Sequence, residues 1–400
     1  MKRDLHLSDT QMGMLMGFSF AIFYTTLGIP AGLMADTKNR RNIIMWGIAI
    51  WSLMTALGGM ASNFGQFFLS RMGVGIGEAA LSPSAYSMIT DYFPKKKLAT
   101  ALSVYSMGIY IGSGIAVLIG GVLAELSKEP GMINIPIVGQ IYPWQIIFFL
   151  IGIPGLLIAL LMLTVKEPAR TGLIDGQNKA TFSEVMAYIK LHRVAFVLHS
   201  LGTGLIAMIT YSSINWVPTI LQRVHDWSPQ KVGIWFGFSI AIFSTLGIIL
   251  GGRYADYLTK KGHLDADLRT ARISAIALLF LGCFFPWFKT GEATFWIIIP
   301  MNFFGAFPFG ATVAAIQKLM PARMRSLGSA IYLLILNMVG LGLGPVFTGA
   351  ITQYIFKDEK MVGFSLMIVA ILASISSIIC FSIALKPYCE SVEKLNAEMV

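Results

Sequence analysis

The sequence predicts an all-α polytopic membrane protein, and three observations carry that reading. Only 12% of the 400 residues are charged, against ~25% in a typical soluble domain, and 56% are hydrophobic. Apolar stretches recur along the whole length, each long enough to cross ~30 Å of hydrocarbon at ~1.5 Å per residue. Finally, Lys and Arg are distributed by alternation between loops rather than at random. A β-barrel would show short alternating segments instead.

Eleven spans are read in order. Met12–Ala35 runs from the polar opening to Asp36, and Asn42–Ala61 follows Arg40 and Arg41. Gln66–Thr90 stops at Asp91, Leu98–Ala124 follows three consecutive lysines, and Trp144–Val165 ends at Lys166. Val194–Leu221 opens after Arg193, and Val232–Gly252 lies between Lys231 and Arg253. Ile273–Phe288, Ala293–Gln317, Ser326–Phe356 and Met361–Leu385 complete the set, each flanked by charge.

The net charge of +10 would suggest nucleic acid in a soluble protein. Its placement says otherwise. One alternating set of loops, with the tail, carries 21 Lys and Arg, the other set with the N-terminus carries 8, and Arg71 makes thirty. The positive-inside rule puts the richer set, including the C-terminus, in the cytoplasm, and no nucleic-acid partner is expected. Cys283, Cys380 and Cys389 are too few and too scattered for a disulfide framework or a thiolate metal site. The opening "MKRDLHLSDTQ" lacks the apolar core of a cleavable signal.

The chain repeats itself. "LSDTQMGMLMGFSFAIFYTTLGIPAGLMAD" lies over "WSPQKVGIWFGFSIAIFSTLGIILGGRYAD" at a shift of 220 without a gap, both ending Ala-Asp. A second anchor sets "FPKKKLATALSVY" (93–105) over "MPARMRSLGSAIY" (320–332). The expected organisation is a helical bundle over 1–165, a cytoplasmic linker 166–193, a six-helix bundle 194–385 and a tail 386–400. Val194–Leu221 precedes the duplicated helix, and its counterpart would fall before Met1. The expectation is therefore a first bundle one helix short, with a misplaced start or a trimmed chain favoured over a natural eleven-span protein. In the linker, Thr181 and Glu184 are spaced as a capping box. Val185, Met186, Tyr188, Ile189 and Val194 form the apolar stripe of an interfacial helix.

One stretch, "LSRMGVGIGEAALSPSAYS" (69–87), holds the only two formal charges between Asn42 and Thr90. Arg71 and Glu78 share a helical face about 10 Å apart along the axis, too far to be ideal partners. A charge near a bilayer centre costs at least about 2.5–3.5 kcal/mol, so both must face a watery cavity or a neighbouring helix. Glu78 is read as a group that loads and releases a proton, with a static tie between helices as the alternative. Arg71 stays divided between anion ligand, regulator of Glu78 and structural tie. Gly73, Gly75 and Gly77 allow close helix approach rather than forming a nucleotide-binding loop, since no strand precedes them. Pro83 cannot donate to the carbonyl of Ala79, which places a kink just below Glu78.

These patterns resemble the major facilitator superfamily. "GLMADTKNRR" (Gly32–Arg41) is similar to its signature between the second and third helices, with Asn39 in place of the usual glycine. "GGRYADYLTKKG" is similar to the copy in the second half, and "RMGVGIGEAA" to the fourth-helix pattern, with Glu78 where a small residue is usual. "GIYIGSGIAVLIGG" lacks the proline of many antiporters. "LSDTQMGMLMG" and "RMGVGIGEAALSPSAYSMITDYFP" further resemble the Spinster-like branch, whose members are implicated in moving lysolipids and sphingoid phosphates.

The resemblance implies a major facilitator fold of two pseudo-symmetric bundles. It also implies a secondary active transporter of a small organic anion or lysolipid-like amphiphile; from the chemistry above, proton coupling is expected at Glu78, with Arg71 its companion at a proton-coupling or substrate site. It implies a cytoplasmic gate in which Asp36 favours a helix N-terminus, Asp91 pairs with Arg40 or Arg41, and Asp256 is the weaker copy. Tyr110, Tyr211, Asn215, Asn302, Tyr332 and Asn337 are candidate cavity-lining residues, each equally suited to a local helix–helix hydrogen bond. His199 is a weaker candidate of the same kind. A monomer in the bacterial inner membrane, without cofactor or metal, is expected. The alternatives are a drug-efflux permease, an intramembrane enzyme or a non-transporting remnant. No H-E-x-x-H, histidine–carboxylate metal set or serine elbow favours an enzyme.

Overall fold

The computed structural model describes residues 1–2, 4–92, 95–126, 133–135, 139–168, 181–321 and 324–397. The helices are α1 (Asp9–Gly13), α2 (Ser19–Thr37), α3 (Arg40–Gly58), α4 (Phe64–Ala79), α5 (Leu81–Tyr92), α6 (Lys95–Leu126) and α7 (Pro143–Leu161). After them come α8 (Phe182–Leu191), α9 (Arg193–Arg223), α10 (Pro229–Ser239), α11 (Thr245–Lys260), α12 (Ala266–Phe284) and α13 (Gly291–Ala306). The last four are α14 (Phe309–Leu319), α15 (Arg325–Asn337), α16 (Gly344–Ala350) and α17 (Val362–Ala397). A short antiparallel hairpin, β1 (Ile133–Ile135) with β2 (Gly139–Ile141), pairs Asn134 with Gln140 in a loop where the sequence suggested no strand.

Seven helical stretches among the described residues are long and apolar enough to cross a membrane, all of them from Trp144 onward. The four earlier spans read from the sequence are helical over most of their length. The count of eleven rests on the sequence.

Two compact units emerge, 1–175 with 228–237, and 176–227 with 238–400. In the first, short polar side chains start the helices. Ser8 and Gln11 form a capping box for α1, Asn39 accepts from the Asn42 amide at 2.9 Å to open α3, and Asn63 does the same for α4. Asn39, the departure from the family signature, is thus the N-cap of α3. A π-helical turn at Met14–Phe18 joins α1 to α2 without a break. At one end Phe67 meets Trp144 and Phe148 edge-on at 6.1 and 5.2 Å, closing an apolar cluster with Leu7, Leu15 and Ala61. At the basic-loop end Ile44, Ile48, Ala85, Met88 and Ala159 form a second cluster.

The close approaches anticipated at the glycines are present. A Cβ on Gly77 would lie 2.6 Å from the Trp51 nitrogen and 2.7 Å from the Gly47 oxygen. One on Gly75 would lie 2.5 Å from the Phe20 oxygen. Helix α4 therefore lies backbone to backbone against α3 on one side and α2 on another. Ala80 interrupts the helix between α4 and α5, which places the expected discontinuity directly after Glu78. The cause is the missing N–H of Pro83.

In the second unit the linker helix begins as expected. The Thr181 amide donates to Glu184 Oε2 at 2.7 Å and the Glu184 amide to Thr181 Oγ1 at 3.3 Å. Buried polar groups then tie the long helices together. Trp216 Nε1 donates to the Pro345 carbonyl at 3.0 Å and Ser377 to the Gly202 carbonyl at 2.8 Å. π-Helical segments at Ile240–Ser244, Met338–Leu343 and Ile351–Phe356 interrupt otherwise regular helices, a feature frequent at functional sites.

Gly77→Ala forces a methyl into backbone and should cost about 1–3 kcal/mol. Gly28→Ala, where a Cβ meets nothing within 4 Å, should be neutral or stabilising. Thermal unfolding of the two purified variants in detergent checks the difference.

Candidate functional site

Helix α4 positions Arg71, Gly75 and Glu78 on one face, and α2 crosses that face at Gly75. Arg71 and Glu78 are both partly exposed. The Arg71 guanidinium sits over the Phe20 ring, 5.7 Å from its centroid, within the range of a cation–π attraction. Phe20 in turn stacks on Tyr24 at 5.1 Å. Because the α2 backbone approaches at the glycine between them, the two charges flank the crossing instead of meeting. Neither makes an ion pair or side-chain hydrogen bond among the described residues. Just past Glu78, at the start of α5, Ser82 Oγ lies 3.5 Å from the Tyr105 hydroxyl of α6.

A carboxylate and a guanidinium two turns apart, beside a helix break, suit reversible chemistry. The carboxylate can bind and release a proton. The guanidinium can hold an anion through its planar fork. Phe20 was not singled out from the sequence; its spacing before Tyr24 carries no charge signal, and only the crossing at Gly75 brings it to Arg71.

At the basic end of the first unit, Arg40 is the centre of a clamp. Its side chain is 1% exposed, pairs with Asp91, and donates to Glu167 Oε1 at 2.8 Å, Ser87 Oγ at 2.8 Å and the Pro168 carbonyl at 3.0 Å. Of the two arginines considered for Asp91, Arg40 is the partner. Arg41 contributes its backbone amide to Glu167 Oε2 at 2.9 Å and turns its guanidinium to Asn42. Glu167 escaped the sequence reading because it lies beyond the end of a span. Burial opposes its charge, but the Arg41 amide and the Arg40 guanidinium outweigh it, holding its pKa below the ordinary glutamate value. The Asp36 side chain lies outside the described residues.

In the second unit Asp256 is exposed. The buried acid at that end is Asp267, 2% exposed, which accepts from Lys318 Nζ at 2.6 Å. The register of the second repeat anchor, a shift of 227, superposes Arg40 on Asp267, Asp91 on Lys318 and Glu167 on Lys394. The repeat therefore keeps the position of the pair and reverses its polarity. That shift was the sequence signal that would have found it.

The polar residues proposed as cavity lining have local partners in several cases. Asn302 Nδ2 donates to Ser239 Oγ at 2.9 Å, and the Tyr332 hydroxyl to Thr312 Oγ1 at 3.1 Å. Asn215 Nδ2 donates to the Tyr211 carbonyl at 2.8 Å. Asn337 is buried and leads into the π segment at Met338–Leu343, while Tyr110 is partly exposed. His199 is fully buried, with Nε2 3.0 Å from the Thr312 carbonyl and its ring stacked on Tyr332.

A polytopic helical bundle with charges inside one helix that are unpaired among the described residues fits a membrane transporter. The sequence profile of the Major Facilitator Superfamily matches residues 1–345, and the chain belongs to that family. It is 26% identical over 396 residues to an MFS-type efflux pump of Mycolicibacterium smegmatis, covering 97% of this chain and 86% of that protein. It is 25% identical to a probable L-galactonate transporter of Escherichia coli, covering 88% and 77% respectively. Among solved structures it is similar to a bacterial homologue of the human lysosomal transporter Spinster, inward-facing and unoccupied. That match has a TM-score of 0.73 at 27% identity, covering 99% of this chain and 92% of the other. The chain is a Spinster-like transporter and not an enzyme.

Three outcomes follow from the clamps. Arg40→Ala removes the guanidinium from the buried Asp91 carboxylate and should cost about 3–5 kcal/mol. Since Glu167 is held ionised, its contribution is complete above the ordinary glutamate pKa and is lost as pH falls through and below it. The thermal midpoint should drop on acidification more in the parent than in Glu167→Gln. In the second unit, Asp267→Lys or Lys318→Asp alone should destabilise, and the two together should recover about 0.5–3 kcal/mol of coupling in a double-mutant cycle.

Proposed function

We propose that this chain moves a small organic anion or lysolipid-like amphiphile by alternating access, coupled to protons. The observation that carries the reading is the face of α4. Arg71 and Glu78 sit there two turns apart, partly exposed, without ion-pair partners among the described residues, and next to the helix break at Ala80. Intramembrane charges of this kind are functional by default, because hydrocarbon selects against idle ones. Glu78 carries the coupling proton and Arg71 holds the anionic group of the substrate. Phe20 and Tyr24 offer an apolar and aromatic surface beside it. The relative named as a probable L-galactonate transporter, L-galactonate being a carboxylate, supports the anionic class.

The Arg40 clamp with Asp91 and Glu167 serves as the cytoplasmic gate, with Arg41 bracing it and Asp36 assigned to it from the sequence signature alone. Asp267 and Lys318 take the part first assigned to Asp256. Tyr110, Tyr211, Asn215, Asn302, Tyr332 and Asn337 line the path or hold its walls. The protein works as a monomer in the inner membrane, with the basic loops and the C-terminus in the cytoplasm. A second reading, a drug/efflux-type permease, is favoured by the relative named as an MFS-type efflux pump. Loss of transport of a carboxylate but not of a neutral drug in Arg71→Ala separates the two.

The test is uptake into proteoliposomes under an imposed pH gradient. Glu78→Gln keeps size and hydrogen bonding, so the protein should fold and still bind substrate, while the response to the gradient is lost. Arg71→Lys keeps the charge without the fork and should lose part of the uptake. A Glu78→Gln variant that follows the gradient as the parent does makes Glu78 a static tie between helices.

A further inference from the structure

The Arg71 guanidinium sits inside the first unit without the partner such a group ordinarily takes. A buried arginine is held by carboxylates, as Arg40 is by Asp91 and Glu167. Arg71 has no carboxylate at ion-pair distance among the described residues. Its contact is instead the face of Phe20, with Cζ 5.7 Å from the ring centroid. The only acid on its own helix, Glu78, lies on the far side of the Gly75 crossing.

Two features of α2 hold that ring in place. Phe20 and Tyr24, one turn apart, stack at 5.1 Å with 20° between their planes. The Phe20 carbonyl oxygen also lies 2.5 Å, and the Tyr24 amide nitrogen 3.2 Å, from the point that a Cβ on Gly75 would occupy. The backbone that carries the ring is therefore set against α4 one turn beyond Arg71. The ring is the fixed member of the pair, and the long arginine side chain is the one with rotamer freedom to lose.

A carboxylate and an aromatic face hold a guanidinium in different ways. A carboxylate accepts from its N–H fork and neutralises its charge. The ring attracts the cation through its quadrupole and leaves both the charge and the fork available. That attraction strengthens as water is excluded, so it holds the group as the site closes.

We propose that Phe20 is a positioning residue for anion recognition, holding the Arg71 guanidinium in place with its charge and N–H fork uncommitted. The inference rests on Arg71 as the ligand of the substrate's anionic group and names what keeps that ligand ready. Phe20 acts through Arg71, by the face of its ring rather than by its bulk.

Binding of L-galactonate and of lysophosphatidate to the purified full chain, followed by titration calorimetry, tests this. Phe20→Tyr keeps the aromatic face and should bind both anions as the parent does. Phe20→Leu keeps apolar bulk without that face and should bind them about fivefold more weakly. Leucine also alters packing at the crossing, so Phe20→pentafluorophenylalanine is the stricter variant. It keeps the shape of the ring and removes its negative face. The same loss of about fivefold is expected there, with an unchanged thermal midpoint. Arg71→Ala separates the proposal from the reading on which it rests. Anion binding lost in Arg71→Ala but unchanged in the fluorinated variant overturns the role of Phe20 alone. Anion binding unchanged in Arg71→Ala, or absent from the parent, overturns both.

Discussion

Backbone contact at the glycines of α4 is the constraint on which the N-terminal unit depends. Gly77 lies against Gly47 and Trp51, and Gly75 against Phe20, at separations where a single methyl does not fit. With no hydrophobic drive between helices in lipid, such close approach supplies the dispersion contact that side chains supply elsewhere. The same approach decides the chemistry. It carries the α2 backbone across the face between Arg71 and Glu78, so the two charges are kept from neutralising each other. A bulkier residue at 75 would push the helices apart and open room for a direct pair.

The charges inside and at the ends of the helices follow opposite rules. At the basic end of the first unit, Arg40 is almost wholly buried and every polar contact around it is satisfied by Asp91, Glu167, Ser87 and the Pro168 carbonyl. Such a group is fixed, because withdrawing any partner strands a buried charge. Arg71 and Glu78 are the reverse, partly exposed and unpaired among the described residues, so either can change partners at small cost. The reversed pair Asp267–Lys318 shows that the repeat conserves where opposite charges meet and not which side carries which sign. A Coulomb attraction is indifferent to that exchange, provided both partners change together.

Fold class, membrane character and the duplicated halves were legible because each rests on periodicity and composition, which act over long windows. So was the capping box of Thr181 and Glu184, a purely local signal. The Asn39 cap was visible only as a departure from a pattern, and its reason came from the geometry of the α3 start. Glu167, Phe20 and Asp267 were not found, since each acquires its role from a partner more than fifty residues away. The break after Glu78 was placed within a few residues by Pro83, but whether the chain would bend or interrupt depended on how α5 packs. Asn302 and Tyr332 show the limit of reading polarity alone: each was a candidate for lining a path, and each has a hydrogen-bonding neighbour on another helix.

The central claim is that Glu78 changes protonation during the cycle while remaining inside the membrane. Infrared difference spectroscopy of the reconstituted protein reads this directly, through the carboxylic-acid C=O stretch. The account predicts a titrating band that is absent from Glu78→Gln and whose midpoint moves when substrate is added or Arg71 is replaced. A band that persists in Glu78→Gln, or a Glu78 that stays in one protonation state at every pH with and without substrate, would contradict it.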